Sequence, residues 1–227
     1  MTDTLFVKIC GITSEADALL AVSLGASAVG FIFAPSPRQV SVQLAGDIAK
    51  RLPEHVLTVG VFRDEAPQRI VDAVRLAGLG AAQMHGHETA EETQWVRARV
   101  PRVIKAFPAG DRTIARFEDF GADLLLVDGD NPGSGQVFDW RLAEGVIDPK
   151  RMIVSGGLRP DNVAQAVAHL RPGGVDVASG VEAAPGRKDP LLLRSFIVNA
   201  RQADADTAAR DPLADPVAAE PYDWRDA

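Results

Sequence analysis

The chain reads as a single-domain α/β protein, a (β/α)8 barrel of the TIM type. Three observations predict this. Short apolar runs of strand length alternate strictly with longer amphipathic stretches, eight of each, over most of the 227 residues. The short runs are often β-branched and apolar on both faces, as parallel strands covered by helices must be. The rival architecture, a doubly wound sheet, has fewer units and a Gly-x-Gly-x-x-Gly turn after its first strand, and none follows Ile9.

The elements follow in order. Leu5–Ile9 is the first strand. Ser14-Glu15-Ala16-Asp17 then opens a helix over Ser14–Leu24, a start of the capping-box kind with Asp in place of Glu. Strands over Ala28–Phe33, Leu57–Phe62 and Ala81–Met84 alternate with helices over Val42–Arg51, Pro67–Ala77 and Ala90–Arg99. Strands over Arg102–Ala106 and Leu124–Asp128 are followed by a helix over Thr113–Phe120 and a short one near Trp140–Glu144. Met152–Ser155 and Val175–Ala178 complete the strands, with helices over Asn162–Leu170 and Pro190–Arg201. Residues 1–201 are thus the expected barrel. From Gln202 to Ala227 the rhythm breaks into an Ala, Asp, Pro and Arg mixture, with Pro212, Pro216 and Pro221 closely spaced, and this predicts a flexible tail.

Composition narrows the function classes. The formal charge is −7, which argues against a nucleic-acid surface, since phosphate backbones need concentrated Lys and Arg. No apolar run approaches the ~20 residues of a membrane span. The first strand begins close to Met1, so no signal peptide is expected, and one cysteine cannot form an internal disulfide. A cytoplasmic protein handling small molecules is the expectation, with neither membrane nor nucleic acid as partner, as a monomer or homodimer.

The chemistry is sought at the carboxyl ends of the strands, where parallel α/β folds assemble it. Along the first strand, Phe6, Lys8 and Cys10 share one face while Leu5, Val7 and Ile9 share the other. If Cys10 points into the barrel mouth, Lys8 lies in the interior below it. A buried ammonium needs a partner, and Asp176 on the last strand becomes its neighbour once the barrel closes. Cys10 itself is either a small buried hydrophobe or a nucleophile or base. As a base it must be thiolate, and Lys8 is the cation expected to favour that form. Asp128, ending Leu124-Leu125-Leu126-Val127-Asp128, is either a turn residue or a general acid, with Asp130 as competitor further into the loop. Pro132-Gly133-Ser134-Gly135 suits a loop that closes over a ligand. Gly156-Gly157 after strand seven and Ser179-Gly180 after strand eight occupy the usual phosphate site of the barrel. Arg38 either clamps a carboxylate or is a solvated surface residue, and His85 either bonds a ligand or sits in a turn. The remaining histidines show no ligand spacing with each other or with Cys10, so no metal is expected.

Taken together these stretches resemble phosphoribosylanthranilate isomerase of tryptophan biosynthesis. The resemblance is carried by Lys8-Ile9-Cys10-Gly11-Ile12-Thr13, Gly30-Phe31-Ile32-Phe33 with Ser36-Pro37-Arg38, Val59-Gly60-Val61-Phe62 and Gln83-Met84-His85-Gly86. It continues through Gly133-Ser134-Gly135 with Phe138-Asp139-Trp140, Ser155-Gly156-Gly157-Leu158, and Val175-Asp176-Val177-Ala178-Ser179-Gly180-Val181-Glu182 to Pro185-Gly186 and Lys188-Asp189. It implies an Amadori rearrangement of N-(5-phosphoribosyl)anthranilate to the 1-deoxyribulose 5-phosphate, with Asp128 as general acid, Cys10 as general base and no cofactor. It further implies Arg38 on the anthranilate carboxylate, Gly156, Gly157, Ser179 and Gly180 on the phosphate, and Phe33 as one contributor to the wall along the aromatic ring. His85, Lys8 and Asp176 complete the expected substrate-binding set. Ala178 departs from the resemblance, standing where serine is common. Three rivals fit less well. An aminoaldose isomerase serving two pathways would pair two aspartates, a phosphopentose epimerase would need metal-ligating histidines, and a sugar-phosphate sensor would not need an acid and a base.

Overall fold

The computed structural model describes residues 4–129, 140–143 and 148–209. Eight parallel strands close into a barrel in sequence order: β1 (Phe6–Ile9), β2 (Ala28–Ile32), β3 (Leu57–Phe62), β4 (Ala81–Met84), β5 (Val103–Pro108), β6 (Leu124–Asp128), β7 (Met152–Val154) and β8 (Gly174–Val177). Among the described residues six α-helices cover it: α1 (Glu15–Ser23), α2 (Val42–Ala49), α3 (Pro67–Ala77), α4 (Ala90–Arg97), α5 (Val163–Leu170) and α6 (Pro190–Ala209). Every strand expected from the sequence is present, with ends shifted by at most two residues.

The period-two alternation divides the core in two. Leu5, Val7 and Ile9 belong to the larger apolar cluster between strands and helices, with Val29, Phe31, Val127 and Val154. The barrel interior is a second, smaller cluster of Ala28, Val59, Ala81, Ile104, Ala106, Leu124, Leu126 and Ile153, with Phe6 packed against it. Above this layer the inward positions turn polar, and there the chemistry gathers.

Local rules account for most of the covering. Ser14 caps α1 by accepting the Asp17 N–H. Asp17 does not close a capping box; its carboxylate accepts the Lys188 N–H at 3.1 Å instead. Two expectations are corrected. The helix predicted over Thr113–Phe120 is 3₁₀, Arg112–Phe120, kinked at Arg116. Its apolar residues, Ile114, Phe117 and Phe120, recur every three residues, so a turn of 3.0 residues stacks them in one line facing the core. The helical rhythm expected to break at Gln202 continues, because α6 runs to Ala209, burying Ala203 and accepting the Leu5 N–H on Asp204 at 2.9 Å. Asp130, the Pro132–Gly135 loop, Phe138, Asp139 and residues 210–227 lie outside the described residues.

After β8 the chain makes a 3₁₀ turn at Ser179–Val181, then a small hairpin of β9 (Glu182–Ala184) and β10 (Arg187–Lys188). Pro185-Gly186 forms its turn, with proline fixing the first central position and Gly186 at φ +78° taking the second. Thr13 donates to the Gly186 carbonyl, which fastens the hairpin to the loop after β1.

Candidate active site

Barrel closure sets one pair of residues opposite each other. In the β1–β8 ladder Lys8 is the register partner of Asp176, and its Nζ lies 3.0 Å from Asp176 Oδ1 with both side chains buried. The pairing expected from alternation is therefore present. Desolvation pulls the Lys8 pKa down, but attraction from Asp176, and then from Cys10, outweighs it and leaves the ammonium above its ordinary value.

Cys10 sits one layer up, at the β1 end, and is 5% exposed. Gly30 on neighbouring β2 makes room for it: a Cβ there would stand 2.9 Å from Cys10 Sγ and 3.1 Å from Lys8 Nζ. Burial pushes the thiol pKa up; Lys8 pulls it down, Asp176 adds to the rise, and Lys188 opposes it. The net direction is upward. Lys8 is thus the nearby cation anticipated from the sequence, yet it does not overcome desolvation, and the resting group is the thiol.

Asp128 ends β6 and is equally buried, at 5% exposure. Its Oδ1 accepts the Gly129 N–H at 2.8 Å, and its Oδ2 lies 3.0 Å from His85 Nε2. His85 Nδ1 is 2.8 Å from the Gln83 side-chain nitrogen. With that amide donating to Nδ1, the imidazole carries its proton on Nε2 and donates to Asp128. His85 thereby orients the carboxyl, a role beyond the ligand contact expected of it. Gln83, inward-facing on β4 with its Oε1 lacking a partner, was not singled out from the sequence.

These residues border one cavity of about 400 Å³ at the carboxyl ends of the strands. Cys10, Arg38, Gln83, His85, Asp128 and Asp176 line it, together with Gly156, Gly157, Ser179 and Gly180. Gly156 and Gly157 both adopt positive φ, +83° and +66°, a conformation that lets successive N–H groups turn toward an anion. Lys8 does not line the cavity; it supports Cys10 and Asp176 from below. Phe33 does not line it either. It packs on Phe62 with ring centroids 5.1 Å apart, and Ile32, Pro35 and Val61 form the apolar wall.

Arg38 is no solvated surface arginine. Its side chain is 12% exposed and forks onto Glu182, Nε to Oε1 at 2.8 Å and Nη2 to Oε2 at 2.7 Å. Lys188 Nζ donates to the same Glu182 at 3.0 Å, to the Cys10 carbonyl at 2.7 Å and to the Ala178 carbonyl at 3.0 Å. Glu182 and Lys188 were missed as site residues. The Pro-Gly dipeptide between them marks a turn, but nothing periodic shows that the hairpin folds back across the mouth. Among the described residues no group of acidic, His and Cys side chains has the makings of a metal site.

The chain and its fold have counterparts among known proteins. Residues 7–199 match the family described as N-(5'phosphoribosyl)anthranilate (PRA) isomerase. The N-(5'-phosphoribosyl)anthranilate isomerase of Desulforudis audaxviator is 47% identical over 204 residues, covering 87% of this chain and 98% of its own. A solved phosphoribosyl anthranilate isomerase in complex with reduced 1-(o-carboxyphenylamino)-1-deoxyribulose 5-phosphate superposes with a TM-score of 0.77 at 39% identity, over 87% of this chain and 99% of its own. A structure of monomers derived from the dimeric enzyme of Thermotoga maritima gives 0.78 at 39% identity, with the same coverage.

Proposed function

The chain belongs to the N-(5'-phosphoribosyl)anthranilate isomerase family and is an isomerase of tryptophan biosynthesis; on that premise we propose that Asp128 and Cys10 divide its Amadori rearrangement as general acid and general base. The observation that carries this division is that both side chains border one cavity, from the ends of β6 and β1, with Arg38 and the β7 and β8 loops around them.

The reaction is internal: Asp128 gives one proton, Cys10 takes one, and both return to their starting forms by exchange with solvent. Asp128, aimed by His85, acts as the acid, giving a proton to the furanose ring oxygen as the C1′–O bond breaks. The anthranilate nitrogen supplies the electron pair that makes the iminium. That cation acidifies the C2′–H, which the Cys10 thiolate removes to leave an enolamine. Tautomerisation yields the C2′ ketone, 1-(2-carboxyphenylamino)-1-deoxyribulose 5-phosphate. Arg38 takes the anthranilate carboxylate. The backbone at Gly156, Gly157, Ser179 and Gly180 takes the phosphate, where Ala178 offers no hydroxyl of its own. Asp176 completes the floor.

Loss of substrate fluorescence on adding purified enzyme tests the reading. Turnover is expected, and Cys10→Ser and Asp128→Asn should each lower kcat by about a hundredfold or more with a smaller change in KM. A wild type without turnover refutes the activity; near-normal kcat in either variant removes that residue from its role. No helix among the described residues is long and apolar enough to cross a membrane. We place the enzyme in the cytoplasm, acting on a sugar phosphate as a monomer or a homodimer, the latter being the state of the Thermotoga maritima relative.

A further inference from the structure

We infer that Glu182, clamped by Lys188, is a positioning residue that presents Arg38 to the carboxylate of the substrate's aromatic acid, and the inference rests on the carboxylate role proposed for Arg38 above.

A guanidinium has two edges able to take a carboxylate in a two-pronged bond. Glu182 occupies the edge formed by Nε and Nη2. The opposite edge, Nη1 with the second Nη2 proton, is left for a carboxylate entering the cavity that Arg38 lines. An arginine has four side-chain torsions, so without the fork its second edge would sample many directions. The Glu182 bond halts that sampling before the substrate arrives, which is pre-organisation of the kind that saves binding free energy.

Glu182 is itself held. Its side chain is only 4% exposed, and Lys188 reaches it from a fully buried position. The same ammonium bonds the carbonyls of Cys10 and Ala178, so the clamp is anchored to the ends of β1 and β8. Burial alone would drive the Glu182 pKa up, but Arg38 and Lys188 together hold it below its ordinary value, so the carboxylate stays charged at neutral pH. Around the thiol stand three cations, Lys8, Arg38 and Lys188, and two anions, Asp176 and Glu182.

The test uses two probes: reduced 1-(o-carboxyphenylamino)-1-deoxyribulose 5-phosphate and its phenylamino counterpart lacking only the carboxylate. Binding of both is measured to wild type, Glu182→Gln, Glu182→Asp and Lys188→Met. Glutamine is isosteric, yet its NH2 faces an arginine N–H, so one prong of the fork is lost. Wild type should prefer the carboxylate probe, and Glu182→Gln and Lys188→Met should narrow that preference by about tenfold, Glu182→Asp less. Affinity for the phenylamino probe should stay near wild type, which also reports that the variants fold. If wild type shows no preference, the role of Arg38 fails and this inference with it. A wild-type preference that Glu182→Gln leaves intact, or enlarges by freeing Arg38 from a competitor, overturns the role of Glu182 alone. Equal losses for both probes likewise overturn it, because they report general damage to the site.

Discussion

Cys10 is held as a thiol by its surroundings, although two lysines lie near it. A base that must first lose a proton gives activity a definite pH dependence. Burial pushes the thiol pKa above its ordinary value, so across the neutral range the thiolate is a minor species. Its population grows about tenfold per pH unit until the thiol titrates. We therefore expect kcat to climb between about pH 6.5 and 8.5 with a log–log slope approaching one, and a flat stopped-flow profile there would remove Cys10 as the limiting base. At this scale the sequence was legible for the charged and thiol residues carried by strands. Alternation alone set Lys8 beneath Cys10, and barrel closure brought Asp176 to it. It was illegible where partners come from a loop that turns back: neither Glu182 nor Lys188 carries a periodic mark, and a lone inward Gln83 looks like any buried polar residue. Nor does sequence weigh opposing effects, so the presence of Lys8 could be foreseen while its defeat by desolvation could not.

Among the elements, the strands were the most legible, because β-branched apolar runs bounded by loops have few other uses in a chain of this length. Helix type and extent were harder. The segment Arg112–Phe120 has the length and polarity of an α-helix, and only its strict spacing of three separates it from one. α6 was cut short because Gln202 to Ala209 looks like the low-complexity sequence after it. Beyond Gln202 the helix docks through one small buried side chain, Ala203, and a long-range bond from the Leu5 N–H to Asp204. Asp204→Ala should cost about 1 kcal/mol and lower Tm by a few degrees, since it leaves that N–H at the start of β1 without its acceptor. An unchanged calorimetric Tm would mean that the helix end is not coupled to the first strand.

For the whole molecule, closure and chemistry share one seam. β1 meets β8 through a ladder whose register pairs Lys8 with Asp176, directly below Cys10. Removing one partner of a buried ion pair leaves the other charge uncompensated, typically at a cost of about 3–5 kcal/mol. Asp176→Asn should accordingly lower Tm by on the order of 10 °C in calorimetry. A wild-type Tm would show that Lys8 is satisfied without its carboxylate. The overall architecture was legible because all eight strand–helix alternations point the same way. The seam was legible because only one ring order joins the first strand to the last.

That seam also has a place in time. The Lys8–Asp176 bond spans 168 positions, so a growing chain can make it only after β8 has been added. Strands β2 to β7 can assemble without it, but the base, its supporting lysine and the clamp on Arg38 all wait for β8 and the hairpin that follows. A chain that stops before β8 lacks Asp176, the Ser179-Gly180 turn, Glu182 and Lys188, so it holds only part of the site and should show no turnover.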